Sequence, residues 1–594
     1  MDEPAETGRS IGLTAISLIA VGVGVITGFG AIFFRGLIGL IHNISYYGVF
    51  SVAYDANVYG PPSAWGAAII LVPVIGGMGV VFLVSKFAPE ARGHGVPEVM
   101  DAIFYQDGKI RPVVAIVKSL ASALAIGTGA AVGREGPIIQ IGASLGSTVG
   151  QIIRMEPWQR ITLVAAGAGA GIAATFNTPI GGVMFAIELM LPEVSARTFL
   201  PVALAAGTAT FIGRAFLGIQ PAFAMPATLL LSNRPWPLDA ILLCAVLGAA
   251  VGLVATAFIR GLHGADIGFE RLRNPYLRHA LGMLVVGLMM YGFFLGSGHY
   301  HVDGVGYSTI EDILTGGIVA APFLAVLCFG KLTATVLSLG SGSSGGIFSP
   351  SLFMGATLGA AFGAVINTIM PFPGIGIAAF AVIGMAAMVG GGTGAAMTAV
   401  TMIFEMTRDY DVVMPMIVAV AVAIGVRRAL SQENIYTIKL VARRHFIPKA
   451  LHANMFLVRP AGEVMDRELL LLPQETGLDA VLLRTDGNGG FRHIVVTDGE
   501  KIVGVLRVNT ALRRGLEGAY TGVRLGDVAN RAFTIAREDD VMFGVIDRAW
   551  RKKASMIVVV RGQGVPRASD VAGVITKDQV ADSVGESVRP YSGN

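Results

Sequence analysis

The chain has 594 residues, of which 53% are hydrophobic and 14% charged, with a formal net charge of +4 and a mean hydropathy of +0.67. Soluble domains carry about 25% charged residues, so this balance excludes a soluble globular protein, and the small net charge gives nucleic acid no electrostatic footing. Residues 1–10 are polar with mixed charge, unlike the basic start of a signal peptide, and read as an N-terminal tail.

Apolar stretches then recur at 11–41, 63–88, 161–192, 238–259, 280–296, 316–339, 352–370 and 374–404. A membrane span needs roughly 20 apolar residues. The stretches predict an all-α polytopic membrane protein with the lipid bilayer as a partner. The 79 glycines permit close helix packing and broken helices that line a cavity. Cys244 and Cys328 lie inside apolar stretches and read as inert thiols.

Three short segments punctuate this apolar region in one way. In "RGHGVPEVMDAI" (92–103), Gly93, Gly95 and Pro97 lead into a helical pattern. In "AAVGREGPIIQIGASLG" (130–146), Gly133, Gly136 and Pro137 predict a loop feeding a helix, with Pro137 in its first turn. In "SGSSGGIFSP" (341–350), Gly346 and Pro350 repeat the form. A helix start presents unpaired N–H groups and a partial positive charge, so it attracts anions. Converging starts predict an anion seat without a fixed full charge, from which a permeating ion can leave. Arg134 and Glu135 stand inside the second segment, and ionisable groups at membrane depth mark function. Glu135 reads as a tethered anion that occupies the seat and leaves when protonated or displaced. The alternative is a static bridge between Arg134 and Glu135.

The region also repeats internally. Setting 133–150 over 346–363, at an offset of 213, matches Gly133, Pro137, Gly142, Ala143, Leu145, Gly146 and Gly150. At an offset of 217, "FAIELM" (185–190) meets "MIFEMT" (402–407), pairing Glu188 with Glu405 and pointing to a structural role for Glu188. Two halves follow, about 10–220 and 236–436, with a binding site expected between them. "GHYHVDG" (298–304) holds His299 and His301 without a further ligand set, so no metal site is expected.

Arg427, Arg428, Lys439, Arg443, Arg444 and Lys449 form a basic collar, which predicts a cytoplasmic C-terminal side. After a linker at 441–460 the texture becomes soluble α/β, with runs such as "HIVVTDGE", "KIVGVLRV", "SMIVVV" and "VAGVIT". The order is doubled, predicting βαββα-like units at 461–517 and 524–586.

"GREGP", "GGIFSP", "GHGVP", "NTPIGGVMFAIE" and the tyrosine of "NIYTIKL" together resemble the CLC family of chloride channels and proton-coupled chloride exchangers, across nearly the whole chain. The resemblance implies a transmembrane anion-transport domain at 11–440, an inverted repeat with broken helices, and a homodimer with one pore per subunit. It implies that Glu135 is the external gate. The backbone N–H groups of Ile347 and Phe348, and the Tyr436 hydroxyl, would bind the central anion. The tail resembles a pair of CBS domains, which often bind adenine nucleotides. Thr576 fits the nucleotide pattern, but its aspartate position is Gln579, with Asp578 one step early; the corresponding positions of the first unit are Arg507 and Thr510.

The chain departs from the family pattern twice. His94 stands where a serine usually contacts the anion; a neutral imidazole can still donate one N–H, and protonation would add charge. Leu189 stands where exchangers usually carry an inner proton-accepting glutamate, and leucine carries no proton. On that ground the sequence reads as a passive, voltage- or pH-gated chloride channel, with a proton-coupled antiporter as the alternative and protons as a further partner. A fluoride exporter or an organic-solute transporter fits less well, since Tyr436 is kept and the glycine segments offer donors rather than carboxylates. No enzymatic activity and no required cofactor are expected. The expected location is a bacterial cell membrane, with the tail in the cytoplasm.

Overall fold

The computed structural model describes residues 10–223, 236–370, 375–447, 455–478, 492–508, 522–562 and 564–580. The chain divides into two compact units, residues 1–445 and 446–594.

The first unit is helical. Its leading half runs α1 (Leu13–Tyr47), α2 (Val72–Phe87), α3 (Val96–Tyr105), α4 (Val113–Gly127), α5 (Glu135–Ile152), α6 (Pro157–Phe176), α7 (Pro179–Phe185, continued by a π turn to Met190) and α8 (Ala196–Leu217). Its second half runs α9 (Leu238–Glu270), α10 (Pro275–Ser297), α11 (Tyr307–Thr315), α12 (Ala321–Ser341), α13 (Phe348–Ile369), α14 (Ile377–Thr393), α15 (Ala396–Thr407) and α16 (Val413–Leu430). A short α17 (Thr437–Ala442) follows. Among the described residues, eight helices are long and apolar enough to cross a membrane.

Two apolar stretches expected to be continuous are broken. Asn177 turns left-handed (φ 61°) ahead of Thr178-Pro179 and separates α6 from α7. Gly394 (φ 79°) separates α14 from α15. Both breaks combine a left-handed C-terminal residue with a prompt restart, which leaves helix ends inside the protein. The stretches 196–217 and 413–430, diluted by arginine, threonine and proline, form two further spanning helices.

The halves repeat element by element, and α7 and α15 reveal how they are related. The Glu188 carboxylate, at the end of α7, accepts hydrogen bonds from Met397 N–H (3.0 Å) and Thr398 N–H (2.7 Å) at the start of α15. Glu405, at the end of α15, accepts from Ile180 N–H (3.1 Å) and Gly181 N–H (2.7 Å) at the start of α7. Each carboxylate caps the other helix's positive end. The two helices are therefore antiparallel, and every partner is related by the offset of 217, so the halves are inverted with respect to each other at this point.

Backbones meet where glycine removes the side chain. A Cβ on Gly142 of α5 would lie 2.2 Å from the Gly167 carbonyl of α6, and one on Gly355 of α13 would lie 2.4 Å from the Gly384 carbonyl of α14. Any side chain there would force the two helices apart.

The second unit contains two copies of one small sheet. In the first, β1 (Leu469–Pro473) runs parallel to β2 (His493–Asp498), which pairs antiparallel with β3 (Lys501–Arg507). In the second, β4 (Phe533–Arg537), β5 (Met556–Val560) and β6 (Val571–Thr576) repeat the order and the directions. Val495, Ile502 and Val505 of the first sheet share one core with Val558, Val560 and Val574 of the second. An α/β unit with doubled topology therefore follows the membrane helices.

Candidate functional site

The three glycine segments converge through backbone hydrogen bonds. Gly133 and Gly346 exchange both their N–H···O bonds, at 2.7 and 2.6 Å. Gly93 N–H donates to Ser343 O at 3.0 Å, and Gly345 N–H donates to Gly93 O at 3.2 Å. The starts of α3, α5 and α13 are thereby fixed around one point. Gly136 makes the approach close, because a Cβ there would fall 2.3 Å from the His94 carbonyl. Pro97, Pro137 and Pro350 each occupy the first turn of their helix, where a missing N–H costs nothing. Ile347 and Phe348 form the start of α13, both buried, where N–H groups lack intrahelical partners.

Glu135 opens α5 and is 1% exposed. Its carboxylate accepts the Ser349 N–H of α13 at 3.3 Å and the Tyr307 hydroxyl of α11. The side chain of α5 thus sits on the helix start of the opposite half, as a bound anion would. Arg134 turns back toward it, with Nε 3.9 Å from Oε1 and no hydrogen bond to it, and places its guanidinium 5.1 Å over the Tyr307 ring. The arginine therefore contributes charge, while the hydroxyl and the backbone N–H hold the carboxylate.

On the other side of the loops, Tyr436 precedes α17, and Asn434 Oδ1 accepts the N–H of Tyr436 at 2.9 Å and that of Thr437 at 2.8 Å. Its ring is 1% exposed and lies 5.8 Å, centroid to centroid, from the His94 imidazole. His94 is 4% exposed, and its Nδ1 has no hydrogen-bond partner among the described residues. A cavity of about 630 Å³ reaches His94 and is lined also by Glu98, Asp101, Asp266, Lys439 and Arg443. Glu98 accepts from Lys439 at 2.8 Å and Arg443 at 3.0 Å, tying α3 to α17.

Leu189 is half-buried in the π turn after α7. Its neighbour Glu188 is spent on the cap of α15, where it also accepts the Thr398 hydroxyl at 2.6 Å. In the tail, the N–H and hydroxyl of Thr576 both donate to Gln579 Oε1, at 2.7 and 2.9 Å, and Asp578 pairs with Arg507 at 2.5 Å. Thr510 lies outside the described residues. His299 stacks on Tyr59 at 3.9 Å, while His301 Nδ1 bonds the Thr309 hydroxyl at 3.0 Å.

Three residues that bear on the site escaped the sequence reading. Tyr307 touches Glu135. Lys118 and Lys331 are fully buried, and each holds the loop before a short helix: Lys118 Nζ donates to Ala91 O (2.9 Å) and Gly93 O (2.7 Å), and Lys331 Nζ to Val302 O (2.9 Å) and Gly304 O (2.8 Å). A signal existed. The lysines are lone charges in apolar helices at the offset of 213, and "GHG" ahead of α3 is echoed by "GVG" ahead of α11.

Comparison with known proteins agrees with this geometry. The family model described as voltage gated chloride channel matches residues 76–428. The chain is 31% identical to the H(+)/Cl(-) exchange transporter ClcA of Salmonella arizonae over 76% of this chain and 93% of that protein. It is 32% identical to a putative chloride channel protein, ClcB-like, of Ralstonia nicotianae over 64% of this chain and 86% of that one. Among solved structures, a slow cyanobacterial Cl-/H+ antiporter superposes with a TM-score of 0.62 at 25% identity, covering 73% of this chain and 99% of the antiporter.

Proposed function

This chain belongs to the voltage gated chloride channel family, and on that premise we propose that it carries chloride across the membrane in exchange for protons. The observation that carries the reading is the Glu135 carboxylate resting on the Ser349 N–H. A titratable anion in an anion's seat must be protonated or displaced before chloride takes its place, which ties proton uptake to anion movement. Ile347 and Phe348 N–H groups, His94 and Tyr436 then serve the anion beyond Glu135. Relatives named as exchange transporters support coupling. Leu189 favours the second reading, passive conduction, as does the relative named as a channel.

The test is purified protein in chloride-loaded liposomes, with external chloride and pH recorded together. Exchange predicts that chloride efflux drives protons inward against their gradient. Chloride efflux with protons moving only at the leak rate would overturn it in favour of a channel. The same reading takes the protein as a homodimer in a bacterial cell membrane, with the tail as a cytoplasmic CBS pair. An adenine nucleotide is the ligand class to try on the tail, and calorimetric titration of the full-length protein with ATP and AMP is the direct check.

A further inference from the structure

Exchange requires a proton route on the side opposite Glu135, and the residues first in line for it are occupied or inert. Leu189 carries no proton. Both oxygens of Glu188 are committed to Met397 and Thr398, and both oxygens of Glu405 to Ile180 and Gly181. His94 differs from all of these. It is buried on the lining of the 630 Å³ cavity, its Nδ1 has no partner among the described residues, and its carbonyl packs on Gly136, the residue after Glu135. Imidazole also titrates nearer neutral pH than any other side chain.

We propose that His94 is the inner proton carrier of this protein, doing from the anion pathway itself what the side chain at 189 cannot. A hydronium ion in the cavity gives its proton to the unprotonated imidazole nitrogen, forming an N–H bond and leaving water. That bond breaks as the proton passes along the anion pathway to the Glu135 carboxylate, which becomes the neutral acid and leaves its seat, while the imidazole returns to its neutral form. Burial and the groups around His94 set the condition for loading. Burial opposes an imidazolium first, Lys439, Lys118 and Arg443 oppose it further, Glu98 supports it, and Tyr436 adds no charge. With burial and these cations set against Glu98, and with Asp101 and Asp266 on the cavity lining, an anion held beside His94 tips the balance, so the proton loads when chloride is present. Proton and anion occupancy are thereby coupled at one residue.

The inference rests on the exchange reading, and the experiment separates the two. In the liposome assay, the ratio of proton to chloride movement is compared for wild type, His94→Ser, His94→Gln, and His94→Ser combined with Leu189→Glu. The single variants should lower the ratio by about a hundredfold or to the leak, the scale of a lost acid–base group. Adding Leu189→Glu should raise it again, which a packing defect at position 94 would not allow. A coupled wild type with equally coupled His94→Ser and His94→Gln would overturn the role of His94 alone. A wild type that moves no protons would overturn the exchange reading itself.

Discussion

Replacing Glu135 by glutamine keeps the size of the side chain and removes its charge, so it isolates what the charge does. The carboxylate accepts two hydrogen bonds, from the Tyr307 hydroxyl and the Ser349 N–H. Hydrogen bonds to charged groups contribute about 1.5–3 kcal/mol each, against about 0.5–1.5 kcal/mol for neutral ones. The substitution therefore weakens the side chain's hold on the seat by roughly 2–3 kcal/mol. A competing chloride keeps every donor it had. At about 1.4 kcal/mol per tenfold, its apparent affinity for the seat rises roughly 30- to 150-fold. Arg134, 3.9 Å away, pulls in the same direction, since its charge then serves chloride alone. Calorimetric chloride binding and liposome flux across a pH series measure both consequences. The variant should bind chloride more tightly, conduct at a pH-independent rate and move no protons. An unchanged chloride affinity together with the wild-type pH dependence would refute the claim that Glu135 competes for the seat.

With Glu135→Gln as background, Tyr307→Phe removes a donor from chloride only. Chloride affinity should fall about 10- to 150-fold, equivalent to about 1.5–3 kcal/mol for a hydrogen bond to a charged group, and an unchanged value would confine the hydroxyl's role to Glu135. Lys331→Met strands the Val302 and Gly304 carbonyls, whereas after Lys118→Met the Ala91 and Gly93 carbonyls keep the Ser344 hydroxyl and the Gly345 N–H as donors. At about 1–3 kcal/mol per unsatisfied buried group, Lys331→Met should lower the melting temperature in detergent more than Lys118→Met; equal melting of the two variants would refute this difference between the loops. In the tail, His493 is 2% exposed beside Asp466, and burial lowers its pKa. A histidine held neutral by the fold contributes stability above its unfolded value of about 6.5 that is lost as pH falls below it. Once intrinsic exchange rates are divided out, hydrogen-exchange protection of β2 and β3 in the full-length protein should fall as pH is lowered from about 7 to 5, across that unfolded value, and unchanged protection over this range would reject the assignment.

Legibility followed the range of the interaction. The glycine segments were readable because a glycine–proline punctuation and a helix start are local, and their repetition at one offset survives in the letters. The pairing of Glu188 with Glu405 was readable as symmetry, but their caps on α15 and α7 join residues more than two hundred positions apart. The breaks after Phe176 and Thr393 lay hidden inside continuous apolar stretches, because hydropathy does not register a single left-handed residue. Tyr307 carried no motif of its own, and its contact with Glu135 spans 172 residues.

By itself the sequence determined a membrane-embedded helical repeat, a doubled α/β tail and glycine loops suited to an anion, because hydrophobic length, periodicity and turn chemistry are written locally. The tertiary structure decided which groups meet. It put the α5 carboxylate on the α13 helix start, spent Glu188 and Glu405 on helix caps, and left His94 buried with a ring nitrogen that has no partner among the described residues. Those outcomes depend on how two halves pack through an inverted relation, and packing between distant segments is a property of the folded chain.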